Sequence, residues 1–135
     1  MSAYSGTGRR VATVAVVVAD YDEAIAWYTG KLGFRLAEDV DLGGGKRWVT
    51  VEPGGQGARL LLAKADGESQ AASIGNQTGG RVFLFLETAD FARDHALMTE
   101  RGVLFRETPR REAYGTVAVF ADLHGNLWDL IEPKR

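Results

Sequence analysis

The sequence predicts an α+β fold of two βαβββ modules whose curved mixed sheets surround a cleft. Three observations lead there. The same order of elements, a strand, a helix and three strands, occurs twice, with Gly33 and Gly102 as matching landmarks about 69 residues apart. A stretch rich in Gly, Ser, Gln and Asn, residues 66–80, separates the two runs. One helix per unit covers one sheet face, so the uncovered faces are left to pair around a binding site.

The first module occupies about residues 11–65. "VATVAVVVAD" is rich in β-branched residues and reads as a buried strand. In "DYDEAIAWYTGKLGF", Asp20 with Glu23 forms a capping-box pattern, Ala24, Trp27, Tyr28 and Leu32 have helical spacing, and Gly33 suits a C-terminal cap. "RLAEDVDL" and "RWVTVEP" are strands joined by the turn "GGGK", and "ARLLLAKA" is the last strand. After the linker, the second module spans about 81–133. "RVFLFLET" is a strand, "DFARDHALMTERGV" a helix ending at Gly102, and "LFRETPR", "TVAVFAD" and "LWDLIEP" are strands.

Composition narrows the function classes. The chain has 135 residues, a net charge of −2 and no cysteine. A single domain is expected, with no electrostatic case for nucleic acid and no thiolate metal site. The longest apolar run, Val11 to Ala19, is too short to span a bilayer, and no secretory signal pattern accompanies it. A cytoplasmic protein is the expectation. "GTGRR" and "GGGK" do not open a helix after a strand, as a phosphate loop requires. His95 and His124 have no second His at helical spacing, and "PRRE" is a short charged turn.

"VVVADYDEAIAWYTGKLGF", "GGRVFLFLETADF" followed by "RGVLF", and "AVFADLHGNLWDLIEP" together resemble the vicinal oxygen chelate superfamily, which includes glyoxalase I, bleomycin-resistance proteins and extradiol dioxygenases. The resemblance covers roughly Val11 to Pro133. It implies that enzymes of this kind hold a divalent metal with His or Glu from the first and last strands of each module. The positions carried over are Thr13, Leu61, Arg81 and Asp129. Only Asp129 is an ordinary ligand type; Leu61 cannot coordinate, Arg81 is a fixed cation and Thr13 is a poor ligand alone. A metal-independent site is therefore expected, with no cofactor. A superfamily lyase, isomerase or dioxygenase with an atypical divalent metal site is the alternative.

The resemblance also implies that the strands of Arg81 and Asp129 are neighbours, with both positions facing the cleft. An Arg81–Asp129 ion pair is expected there, either holding the guanidinium for a polar ligand group or only replacing a lost metal site. Strand alternation adds Phe83 and Phe85 to Arg81's face and turns Trp48 and Thr50 to the cleft, while Trp128 faces the helix. Tyr114 falls at the mouth, in the turn "REAYG". Each aromatic has a competing reading as plain core packing. The site expected from these residues binds a small, partly aromatic organic molecule. A homodimer with two equivalent clefts is expected, because two short modules leave much edge and apolar surface to cover.

Overall fold

The computed structural model describes residues 6–135. The β-branched run forms β1 (Thr13–Val18), and Asp20 then caps α1 (Tyr21–Gly30) by accepting the Glu23 N–H at 2.8 Å. β2 (Arg35–Gly43), β3 (Lys46–Glu52) and β4 (Arg59–Lys64) complete the first sheet, in the order β1-β4-β3-β2. The second sheet repeats this plan with β5 (Val82–Glu87), α3 (Phe91–Glu100), β6 (Leu104–Phe105), β7 (Arg110–Glu112), β8 (Gly115–Ala121) and β9 (Leu127–Pro133). Its order is β5-β9-β8-β6, with β7 also on β8. In each sheet the first and last strands lie parallel and the other pairings are antiparallel. Among the described residues, no helix is long and apolar enough to cross a membrane.

Two departures from the expected pattern have local causes. The strand expected over "LFRETPR" is broken into β6 and β7, both paired with β8. At the break, the Glu107 carboxylate accepts the Val119 N–H at 2.9 Å, so a side chain takes a donor that would otherwise serve the ladder. Pro109 adds a residue with no N–H of its own. The linker also carries a short helix, α2 (Glu68–Ala72), and its later part is fastened to both modules. The Gln77 side chain accepts the Val17 N–H at 2.6 Å, and the Gln77 N–H donates to Asn126 Oδ1 at 3.1 Å. Gly75 has φ +73, and a Cβ there would stand 2.1 Å from the His124 carbonyl oxygen, so only glycine fits this crossing.

One hydrophobic core serves both modules. Val16, Tyr28, Val49 and Leu62 of the first join Phe120, Trp128 and Leu130 of the second. The ring of Trp128 lies 6.2 Å from those of Tyr28 and Phe34, and that of Phe120 stacks on it at 5.7 Å. The turn before β9 supplies the polar centre of this core. Asp122 Oδ2 accepts from the Tyr28 hydroxyl (2.7 Å), Trp128 Nε1 (3.2 Å) and the Asn126 amide (3.1 Å). Its Oδ1 accepts the backbone N–H groups of His124 and Asn126. Burial and the neighbouring Asp122 charge raise the Tyr28 pKa well above the ordinary phenol value, so the hydroxyl stays a donor.

Tyr28→Phe removes the one donor that reaches Asp122 from the other module. A hydrogen bond to a charged group contributes about 1.5–3 kcal/mol, and a loss of that size is expected in urea unfolding. Asp122→Ala should lose more, because it orphans several buried donors at once.

Candidate functional site

Strand alternation sends Val14, Val16 and Val18 of β1, Val49 and Val51 of β3, and Trp128 and Leu130 of β9 toward the shared core. The intervening residues make the opposite, concave face of each sheet. On the first sheet this face carries Thr13, Ala15, Trp48, Thr50 and Leu61. Thr13 is the lateral partner of Arg59, Ala15 of Leu61, and Leu61 in turn of Thr50. On the second sheet the equivalent face carries Asp129, whose lateral partners are Phe85 on β5 and Val119 on β8.

Each concave face holds a compact charged cluster. In the first module, Thr50 is fully buried and its hydroxyl donates to Glu38 Oε1 at 3.0 Å. Arg59 bridges Glu38 and Glu52, each at 3.1 Å, and Arg35 also pairs with Glu52. The Arg35 guanidinium, with Arg59 behind it, holds the Glu52 pKa below the usual carboxylate range. In the second module, Arg110 Nε donates to Glu107 Oε1 at 2.9 Å, and Arg110 Nη1 lies 3.5 Å from Glu112. Arg110 depresses the Glu107 pKa, while Glu107 and the nearby Tyr114 hydroxyl raise that of Arg110. None of these seven carboxylate or arginine partners, Arg35, Glu38, Glu52, Arg59, Glu107, Arg110 and Glu112, is among the candidates the sequence offers. Two signals were available: Arg59 shares the parity of Leu61 on β4, and Glu107 precedes Arg110 by one short turn; Glu38 reaches this face only through the irregularity between Leu36 and Glu38.

The expected Arg81–Asp129 ion pair does not form. Arg81 lies outside β5, is exposed, and lines a small depression with Arg106 and Asn126; among the described residues it makes no salt bridge. The physical reason is register. Thr13 stands seven residues before the helix cap Asp20, and the residue at that distance before the second cap, Asp90, is Phe83. Phe83 is not on the cleft face either. A register irregularity between Val82 and Leu84 displaces it, and its ring packs edge-on against Trp128 at 6.3 Å. Trp128 itself lies in the core, 3% exposed, as the alternation predicted.

The remaining candidates are distributed over separate surfaces of the chain. Trp48, 39% exposed, and Leu61 line an open depression of about 710 Å³ with Leu42, Lys64 and Gln70. Phe85 is 65% exposed and borders a groove of about 610 Å³ at the seam of the modules, with Phe34, Leu84 and Met98. Tyr114 is exposed beside Arg110, at the rim. His124 is half-buried, and its Nε2 accepts the Ala19 N–H at 3.3 Å, a structural role. His95 is held between the rings of Phe91 and Phe105.

Asp129 is 9% exposed, and its Oδ1 is buried without any hydrogen-bond partner. Burial raises its pKa above the ordinary carboxylate value; nearby Arg110 opposes the shift and Glu107 adds to it. The residues around it do not fit a divalent cation. Leu61 and Phe85 offer hydrocarbon at the matching strand positions, and an arginine stands among the carboxylates. Among the described residues no group of three or more His, Asp or Glu side chains is placed to hold a metal ion.

A raised carboxylate pKa makes the ionised form a burden on the fold. That burden is full above the folded-state pKa and is relieved as pH falls through it toward the unfolded value. Asp129→Asn should therefore gain on the wild type at pH about 7, and the gap in urea midpoints should close below pH about 4. A gap that widens toward acid would contradict the buried, unpaired assignment.

Comparison with known proteins places this geometry in a family. The Glyoxalase/Bleomycin resistance protein/Dioxygenase superfamily profile matches residues 10–130. A protein of Shewanella frigidimarina is 54% identical over 121 residues, covering 88% of this chain and 90% of its own. YurT of Bacillus subtilis is 31% identical over 91% of this chain and 98% of its own. Among solved structures, UcmS2 superposes with a TM-score of 0.79 at 31% identity, covering 91% of this chain and 97% of that one. TnmS3, described as an antibiotic binding protein from Streptomyces sp. CB03234, superposes with a TM-score of 0.75 at 29% identity, covering 95% and 98%. The chain thus belongs to the glyoxalase/bleomycin resistance protein/dioxygenase superfamily.

Proposed function

We propose that this protein binds a small, partly aromatic organic molecule on its concave faces, without a catalytic metal. The observation that carries the reading is the makeup of those faces. Exposed aromatic side chains, Trp48 on one and Phe85 on the other, share these faces with the charged clusters, and Phe85 is the lateral partner of Asp129 with its unpaired carboxylate. Exposed rings of this kind offer stacking area, and placed polar groups fix orientation. The likeness to an antibiotic binding protein supports the same reading. Leu61, Thr50 and Thr13 complete the first face, and Tyr114 borders the second.

A homodimer completes the proposal. In one chain the helix-covered faces share the core, so the concave faces do not close on each other. A second copy laid across them would bring Trp48 of one subunit toward Phe85 of the other and convert two open faces into two equivalent clefts.

Thermal shift against a panel of planar aromatic antibiotics tests the binding. A ligand at about 100 times its Kd should stabilise the protein by about 2.7 kcal/mol, and Trp48→Ala should weaken that ligand by about tenfold or more. Elemental analysis of the purified protein should find no stoichiometric metal. Stoichiometric Fe, Mn, Ni or Zn together with turnover of an organic substrate would favour the enzymatic alternative. Sedimentation at micromolar concentration should give the dimer mass, and a monomer there would refute the assembly.

A further inference from the structure

We infer that Asp129 is a built-in acceptor for a hydrogen-bond-donating group, a hydroxyl or an ammonium, on the ligand. This rests on the concave-face binding reading and adds the chemistry that the ligand must bring. Three observations carry it. Oδ1 of Asp129 is shut off from solvent and accepts nothing, in a residue only 9% exposed. The donors nearby are committed elsewhere. Arg110 gives Nε to Glu107 and points Nη1 at Glu112, and the Val119 N–H across the sheet goes to the second oxygen of Glu107. Three carboxylates, Glu107, Glu112 and Asp129, thus stand around one guanidinium that hydrogen-bonds the first and leaves Asp129 Oδ1 unpaired, and a ligand carrying a donor would supply what Asp129 lacks. Finally, Phe85, the lateral partner of Asp129 on β5, leaves a largely exposed ring beside the carboxylate for the ligand's flat body.

The other half of the chain indicates that the fold itself does not call for this carboxylate. Leu61 holds the matching place on the last strand of the first module, opposite Ala15 as Asp129 is opposite Phe85. A leucine is accommodated there, so the acid has no counterpart structural duty. A buried acceptor left unpaired is a standing loss to the free protein. Oδ2 of Asp129 accepts no hydrogen bond either and is not shut off from solvent, so an incoming donor meets the carboxylate there, with the dry Oδ1 behind it leaving the group underserved in the free protein. That is the condition under which one hydrogen bond gives strong discrimination between ligands.

The test compares four naphthalene probes by tryptophan fluorescence and calorimetry at one fixed pH. The probes are 2-naphthol, 1-naphthylmethylammonium, 2-methoxynaphthalene and 2-naphthoate. The donor probes should bind the wild type about ten- to a hundredfold more tightly than the methoxy probe. Asp129→Leu should keep the methoxy probe and lose that preference, while its melting temperature rises. Equal binding of donor and methoxy probes by both proteins keeps the site but overturns the inference. So does naphthoate binding tightest, since Arg110 would then be the anchor. A fall in melting temperature for both Asp129→Leu and Asp129→Asn would make the carboxylate structural and also overturn it. No saturable binding of any probe to the folded wild type would remove the concave-face reading, and the inference with it.

Discussion

The contact on which the structure turns is the Tyr28 hydroxyl on the Asp122 carboxylate. Asp122 collects donors from its own turn, from Trp128 and from the helix of the other module. A carboxylate this deep is tolerable only because both oxygens are supplied. In exchange it fixes three things together: the shape of the turn before β9, the tilt of the Trp128 indole, and the position of Tyr28 of α1 against the second module. Trp128 touches Tyr28, Phe34, Phe83 and Phe120, so fixing the indole fixes the seam. The direction in which β9 leaves the turn then decides that Trp128 faces the core and Asp129 faces away.

Asp122 and Asp129 are two buried acids one strand apart with opposite circumstances. The first is fully supplied and structural; the second has a dry oxygen with no partner. The two modules also answer differently at matched positions. The first module satisfies its buried polar groups internally, through Thr50, Glu38 and Arg59. The second uses Arg110 to neutralise Glu107 and leaves Asp129 unserved. A repeated architecture has thus become chemically asymmetric, with the unsatisfied group on only one of the two faces.

Much of this was legible in the sequence because it rests on local rules. The β-branched run before Asp20, the cap itself, and the glycines ending the helices each state their structure within a few residues. Gly33 and Gly102 adopt φ of +73 and +89, and the next N–H closes back on the helix in both cases. Period-two alternation likewise assigned Val49, Val51 and Trp128 to the core and Trp48 and Thr50 to the other face. What failed was long-range register. Placing Arg81 beside Asp129 required knowing where β5 begins and that it is irregular at Phe83, and neither is written in composition or period. The Glu107 side chain that interrupts the strand between β6 and β7 is a tertiary choice of the same kind. Arg59 and Glu38 were overlooked because charged strand residues read as solvated edges unless their cross-strand partners are known.

The fastened linker bears on how the chain unfolds. Gln77 reaches the edge of β1 with its side chain and Asn126 with its backbone, while Gly75 crosses His124 with no room for a methyl group. A connection attached at both ends of the seam cannot act as a tether between two independent domains. Loosening either module strips hydrogen bonds from the linker and exposes apolar surface on the other, so neither half has a closed core of its own to fall back on. The repeat visible in the sequence is therefore a repeat of architecture, and its two halves are joined by one core and by the hydrogen bonds of the linker.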